Sequence, residues 1–292
     1  MTYTTLISVE QLQTLQTIPT SGQACMVFDC SFDLMDPNKG PAQYAEAHIP
    51  GAVYAHLNNA LSAKGEPTVT GAASGGRHPL PSRENFAAWL GSVGFENSMQ
   101  AVVYDRQGVN YAGRLWWMLK WLGHANVAVL DGGLQAWQAA GFPVTAGAQA
   151  VHVAKSFAVH APLVKLLDVQ TVQRQLGSAK QHVLDARATA RFKGEVEPID
   201  PVAGHIPGAL NRPFATNLGA DGRFKPAAQL RAEFDALLGK RESGDVVHHC
   251  GSGVSAVPNI LAMEIAGMKG SALFAGSWSE WVADPQRPVA KG

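Results

Sequence analysis

The chain has 292 residues, 46% of them hydrophobic and 16% charged, and its 23 Lys plus Arg balance 23 Asp plus Glu. That length suits two domains of ordinary size with substantial cores, and the neutral balance argues against a nucleic-acid or polyanionic partner. No apolar run of about 18 residues occurs, so no membrane span is expected.

The N-terminal MTYTTLISVEQLQTLQ lacks a basic region followed by an apolar core, so no secretory signal is expected. Short buried strands then alternate with helices. In the first half the strands are predicted near Met26–Asp29, Val102–Asp105 and Val127–Leu130, and the helices near Ser82–Val93, Tyr111–Leu122 and Leu134–Ala140. The tryptophans Trp116, Trp117 and Trp121 share the second of these helices with Leu115, Leu119 and Leu122, a pattern that predicts core. The stretch around residues 148–164 has no clear period and is taken as a linker. Beyond it, strands are predicted at Val183–Asp185, Asp245–His249 and Ala272–Phe274, with helices near Pro226–Leu238 and Val254–Ala266. Alternation of this kind predicts an α/β fold, each half a mainly parallel sheet with helices on both faces. The expected domains are 1–147 and 165–292.

The two halves repeat each other. AHIPGAVY at Ala47–Tyr54 recurs as GHIPGALN at Gly204–Asn211, and VAVLDGGLQAW recurs as SALFAGSWSEW. AVVYDRQGVNYAGRLWWMLKWLG recurs as DVVHHCGSGVSAVPNILAMEIAG, which sets Asp105 against Cys250. The first half carries extra residues, assigned to the Gly-rich stretch Lys64–Pro81.

Cys250 closes a hydrophobic strand and opens a glycine-rich loop. Ligands meet parallel sheets at the carboxyl ends of strands. A thiol there faces backbone N–H groups and the positive end of a following helix, both of which favour the thiolate that acts as a nucleophile. Asp105 cannot act this way, so the first half is read as catalytically silent. Cys25 and Cys30 flank the strand-like MVFD and read as small buried hydrophobes. Three cysteines suit a reducing, cytoplasmic setting better than a disulfide framework, and their spacing offers no metal site. No metal or organic cofactor is implied.

HIPGA in each half, a Cys-headed loop only in the second and a closing GSWSEW together resemble the tandem-domain rhodanese sulfurtransferases, over Leu6 to Pro288. CGSGVSA at Cys250–Ala256 is similar to the loop of the 3-mercaptopyruvate sulfurtransferase type, usually CGSGVTA. Thiosulfate-preferring members tend to carry Arg and Lys directly after the cysteine, where this chain has Gly251 and Ser252. The resemblance implies two rhodanese-like domains and transfer of a sulfane sulfur from a small anionic donor, 3-mercaptopyruvate favoured over thiosulfate. A Cys250 persulfide would carry the sulfur to cyanide or a thiol, possible reductants including a thioredoxin-like protein.

It also implies site roles. Gly251, Gly253, Val254 and Ser255 form the loop around the donor, Ser255 keeping the hydroxyl of the family's threonine. Arg191 matches the arginine that binds the anionic donor, a role suited to a planar guanidinium. Ser252 contributes to proton handling with a first-domain histidine and an acid, here His48 and Asp36, with Asp33 as the competing acid. His205 is read as a turn histidine, and Arg187 as an ion-pairing residue at a strand end. Members of the mercaptopyruvate type often read EPEPR after the arginine segment, its last residue a second carboxylate clamp. Here the run is EVEPID, with Asp200 taken to stand in that arginine's place, which is expected to weaken binding of a 2-oxo acid. Arg77 and Arg106 are the other basic side chains that could substitute.

Two rival classes are weighed. A phosphatase of related fold would need an arginine separated from the cysteine by five residues, where Ala256 stands, or Val257 for a loop one residue longer. A non-enzymatic persulfide carrier or interaction module would take its sulfur from a partner enzyme and turn over no small donor. Thiosulfate:cyanide sulfur transfer is the alternative within the same family.

Overall fold

The computed structural model describes residues 2–17, 24–64 and 72–292. The chain divides into two compact units. The first comprises Met1–Pro67, Pro81–Leu163 and Ala220–Arg223; the second comprises Thr68–Leu80, Val164–Gly219 and Phe224–Gly292. The sequence reading draws one border at residues 148–164. The structure instead carries the first unit on to Leu163: Lys155, His160 and Leu163 donate backbone hydrogen bonds to Gly91, Leu122 and Lys120. Of the Gly-rich stretch Lys64–Pro81, residues 65–71 lie outside the described residues.

In the first unit five strands, β1 (Leu6–Ile7), β2 (Cys25–Asp29), β3 (Val53–Tyr54), β4 (Gln100–Tyr104) and β5 (Val127–Leu130), form a sheet of order β1-β5-β4-β2-β3. Every pairing is parallel. Its helices are α1 (Val9–Thr17), α2 (Lys39–Glu46), α3 (Arg83–Ser92), α4 (Ala112–Trp121) and α5 (Gly133–Ala139). Ser82 caps α3, its hydroxyl accepting from the Asn85 N–H at 3.1 Å. Consecutive residues Ala101 to Tyr104 and Val127 to Leu130 are all buried, so both faces of the sheet are covered. All ten residues of α4 are buried, which accounts for its three tryptophans as core.

The second unit repeats the plan. Strands β6 (Lys165–Leu167), β7 (His182–Asp185), β8 (Leu210–Asn211), β9 (Val246–His249) and β10 (Ala272–Phe274) give the order β6-β10-β9-β7-β8, again parallel throughout. The helices are α6 (Val169–Arg174), α7 (Thr189–Lys193), α8 (Ala227–Leu238), α9 (Val257–Ile265) and α10 (Ser277–Trp281). Val183, Val247, Ala272 and Phe274 pack with Trp278 and Trp281 in one core, while the alternate residues Leu184, Val246 and Leu273 are also buried. The consequence for function is the central position of β9: its carboxyl end lies inside the sheet, between β7 and β10, and Cys250 is the next residue.

Candidate active site

Cys250 is buried and opens the loop Gly251–Ala256, which leads into α9 at Val257, three residues later than its sequence suggests. The loop can take this path because of Gly253. Its φ is +74°, and a methyl group there would lie 2.0 Å from the Ala275 carbonyl oxygen, so only glycine fits. The turn after β10 fixes the backbone around the sulfur. The Cys250 N–H donates to the Ser277 hydroxyl at 3.1 Å, and the Cys250 carbonyl accepts from the Trp278 N–H at 3.0 Å. The Gly251 carbonyl accepts from the Ser279 N–H at 2.9 Å. Ser277 itself has φ of +56°, a conformation that costs a non-glycine residue energy, and its hydroxyl donates to the Phe274 carbonyl at 3.0 Å.

The repeat of this loop in the first unit holds an internal carboxylate. The Asp105 carboxylate accepts four backbone N–H bonds: Gln107 and Val109 on one oxygen, both at 2.9 Å, and Tyr111 and Ala112 on the other, both at 2.8 Å. Burial outweighs these four bonds and raises the Asp105 carboxyl above its ordinary range, so the donors offset only part of the cost of a buried charge. In the second unit a cysteine stands at the matching position.

Beside Cys250 lies a cluster of charged side chains. Arg191 donates from Nε and Nη2 to Glu197, at 3.2 and 2.7 Å, and from Nη2 to Asp200 at 3.1 Å. Asp200, whose side chain is 3% exposed, also accepts from Nη1 of Arg77. A methyl group on Gly251 would lie 3.0 Å from Nη2 of Arg77 and 3.7 Å from Nη1 of Arg191. Both guanidiniums therefore reach the residue next to the sulfur, and the missing side chain of Gly251 is what admits them. The carboxyl of Glu197 is held below the usual range: burial opposes this, and hydrogen bonds from Arg191 and from the Asp200 and Ile199 N–H groups overcome it. Aligned letter by letter, EVEPI sets Ile199 rather than Asp200 opposite the last residue of EPEPR; neither supplies a cation.

Ser252 meets a histidine other than the one expected. Its hydroxyl lies 2.8 Å from Nδ1 of His78, and both side chains are buried. In the first unit, Nδ1 of His48 lies 2.8 Å from the Tyr44 carbonyl and its ring stacks on Tyr44 at 4.0 Å. His205 makes the same contacts in the second unit, 2.8 Å to the Phe192 carbonyl and 3.8 Å ring to ring with Phe192. A geometry shared by the two units belongs to the HIPGA turn. Asp36 accepts from the Asn38 N–H at 3.1 Å, and Asp33 pairs with Lys39 at 2.8 Å, so neither acid is brought to His48. His78 and Arg77 come from GGRHPLP, the part of the first-half insert that folds with the second unit. The available signal was the pair of glycines ahead of two adjacent basic residues in a stretch with no counterpart in the repeat.

Val254 is buried and Ser255 partly buried in the loop, as neighbours of the sulfur-bearing residue in sequence. Arg187 is a strand-end anchor: it grips Asp185 from Nε and Nη2, at 3.0 and 2.7 Å, reaches the Gly204 carbonyl at 2.6 Å and lies over the Trp278 ring. Arg106 is likewise engaged within the first unit, on Asp29 at 2.9 Å and Ser31 at 2.6 Å. Burial pushes the Cys25 thiol up to about 12, and raises Cys30 well above its ordinary value, so neither competes as a nucleophile. Among the described residues no group of three or more His, Cys, Asp and Glu side chains could hold a metal ion, and no helix is long and apolar enough to cross a membrane.

The model of the rhodanese-like domain matches the chain twice, over residues 18–140 and 168–284. The chain is 47% identical over 289 residues to a Pseudomonas aeruginosa protein named "Probable 3-mercaptopyruvate sulfurtransferase", covering 98% of this chain and 100% of that protein. It is 32% identical to thiosulfate/3-mercaptopyruvate sulfurtransferase 2 of Arabidopsis thaliana, over 90% of this chain and 81% of that one. The crystal structure of SseA from Escherichia coli superposes with a TM-score of 0.75 at 29% identity, over 95% of this chain and 100% of SseA. With two matched domains, two parallel five-stranded sheets and a cysteine loop in the second, the chain belongs to the tandem rhodanese-like sulfurtransferases.

Proposed function

We propose that the protein moves a sulfane sulfur from a small anionic donor, 3-mercaptopyruvate in preference to thiosulfate, through a persulfide on Cys250 to cyanide or a thiol. The observation that carries this reading is the convergence of Arg77 and Arg191 on Gly251, one residue from the sulfur. The Cys250 thiolate attacks the donor sulfur. With mercaptopyruvate, the S–S bond forms as the C–S bond breaks, and its electron pair leaves on carbon as the pyruvate enolate, which takes up a proton. With thiosulfate, the pair leaves on sulfite and no proton is needed. Cyanide then attacks the outer sulfur and departs as thiocyanate, returning the thiolate.

The proton requirement favours mercaptopyruvate. The Ser252 hydroxyl and His78 make a two-membered proton path beside Cys250, which only the carbon leaving group uses. The persulfide left behind is an anion, and the Arg77 and Arg191 guanidiniums beside Gly251 are the cations that would stabilise it. A reduced thioredoxin-like protein is the thiol acceptor that a cytoplasmic setting would offer.

Mass measurement of the protein after incubation with each donor, together with steady-state kcat/KM for both, tests the proposal. The expected result is one sulfur atom gained at Cys250, a higher kcat/KM for mercaptopyruvate, and complete loss of both in Cys250→Ser with the fold unchanged. Higher kcat/KM for thiosulfate would reassign the donor. Persulfide loaded only by a partner enzyme would make the protein a carrier.

A further inference from the structure

We infer that Arg77 is a donor-binding residue of this site, the second of two guanidiniums that hold the donor's anionic group, and that Asp200 is the positioning residue that aims it. The inference deepens the sulfurtransferase reading above and rests on it for the identity of the donor.

Arg77 reaches the loop by a built path. Its backbone N–H donates to the Ser279 hydroxyl at 2.9 Å, in the same turn that fixes Cys250. The two residues before it are glycines, and the second must be. A methyl group on Gly75 would lie 2.3 Å from the Glu280 carboxylate. One on Gly76, whose φ is +86°, would lie 2.4 Å from the Gly276 carbonyl oxygen. The segment can lie flush on the GSWSEW turn only without a side chain at Gly76, and that close approach delivers the guanidinium to Gly251.

Asp200 then divides the two arginines' nitrogens between two tasks. Its carboxylate takes Nη1 of Arg77 and Nη2 of Arg191, one oxygen each. Among the described residues, Nη2 of Arg77 and Nη1 of Arg191 donate to nothing, and these are the atoms nearest Gly251 together with Nη2 of Arg191. Two cations side by side repel; a buried carboxylate between them offsets that repulsion and fixes which edge of each guanidinium faces outward. The outward edges present two N–H donors to one anion, the geometry a 2-oxo acid's carboxylate accepts. A second cation, absent from the EVEPID run, is thus restored from a distant segment. Asp200 is its anchor rather than a charge that merely repels the donor.

Steady-state kinetics with mercaptopyruvate and calorimetric binding of pyruvate, on the full chain, test this. Arg77→Gln removes a charged hydrogen bond to the donor, so KM and the pyruvate Kd should both rise about 10- to 100-fold, with kcat changed less than about threefold. Asp200→Asn should raise KM in the same direction by a smaller factor. The double variant should fall short of the product of the two single effects, because Asp200 acts in part through Arg77 and in part through Arg191. Arg77→Lys, which keeps the charge but cannot hold Asp200 and face the loop at once, should also raise KM and serves if the Gln variant misfolds. An unchanged KM and pyruvate Kd in both Arg77 variants overturns the inference, as does tighter binding in Asp200→Asn, which would make the carboxylate a competitor of the donor. If the wild-type protein transfers no sulfur from either donor, the functional reading fails, while the pyruvate binding series still decides the role of Arg77.

Discussion

The Nδ1 atom of His78 lies 2.8 Å from the Ser252 hydroxyl, although 174 residues separate the two in the chain. The pair stands where a carbon leaving group would need its proton, so its removal should separate the donors. His78→Ala is expected to lower kcat with mercaptopyruvate by about 10²-fold while thiosulfate turnover falls by less than about threefold, since sulfite leaves without a proton. Equal losses on both donors would reduce His78 to a structural role.

Asp105 makes a prediction about stability rather than turnover. Asp105→Asn sets an amide NH2 against two backbone N–H donors that the carboxylate now satisfies. Leaving them buried and unpaired should destabilise the first unit by about 2–4 kcal/mol. Thermal unfolding followed by circular dichroism should show Tm lowered by several degrees, and an unchanged Tm would mean that these bonds hold no energy.

His248 sits fully buried in β9, and burial, reinforced by His249 beside it, pushes it down to about 3. Its unfolded counterpart titrates near 6.5. The folded state therefore refuses a proton that the unfolded chain accepts. The stability this confers is complete above about pH 6.5 and is lost as pH falls from there toward about 3, with a slope of up to about 1.4 kcal/mol per pH unit for this one group. In denaturant titrations at pH 7, 6 and 5, His248→Val should flatten that slope. A slope identical to the wild type would contradict the assignment.

Ser277 pits strain against a hydrogen bond. Its left-handed backbone suits glycine, and the first unit has Gly133 in the matching place with φ of +59°, yet its hydroxyl holds the Cys250 N–H. Ser277→Gly relieves one and loses the other, so its stability should stay within about 1 kcal/mol of wild type. Ser277→Ala keeps the strain and should cost about 2 kcal/mol. Both should slow persulfide formation in rapid-mixing experiments, because Cys250 is less firmly held; full activity in Ser277→Ala would remove the hydroxyl from the argument.

The Cys250 loop is legible because a β-branched strand, a glycine loop and an apolar helix are local signals, and the repeat sets Asp105 against Cys250. Strands such as β3 and β8, two residues each, were not legible, since so short a strand carries no period. His78 and Arg77 were hidden for another reason. Their neighbours in space, Ser252, Asp200 and Ser279, are more than 120 residues away, and nothing local marks GGRHPLP as part of the second unit. The tempting histidine, His48, owed its prominence to a motif that the turn itself requires, as His205 demonstrates.

The excursion of Thr68–Leu80 into the second unit bears on how this protein could have been, or could be, taken apart. A gene cut between the repeats would leave a C-terminal product with the cysteine, its loop and Arg191, but without Arg77 and His78. On the mechanism proposed above, such a half would lack one of the two guanidiniums beside Gly251 and the histidine that meets Ser252. The N-terminal repeat carries Arg77 and His78 of the second unit inside its own sequence, so a cut between the repeats divides that unit.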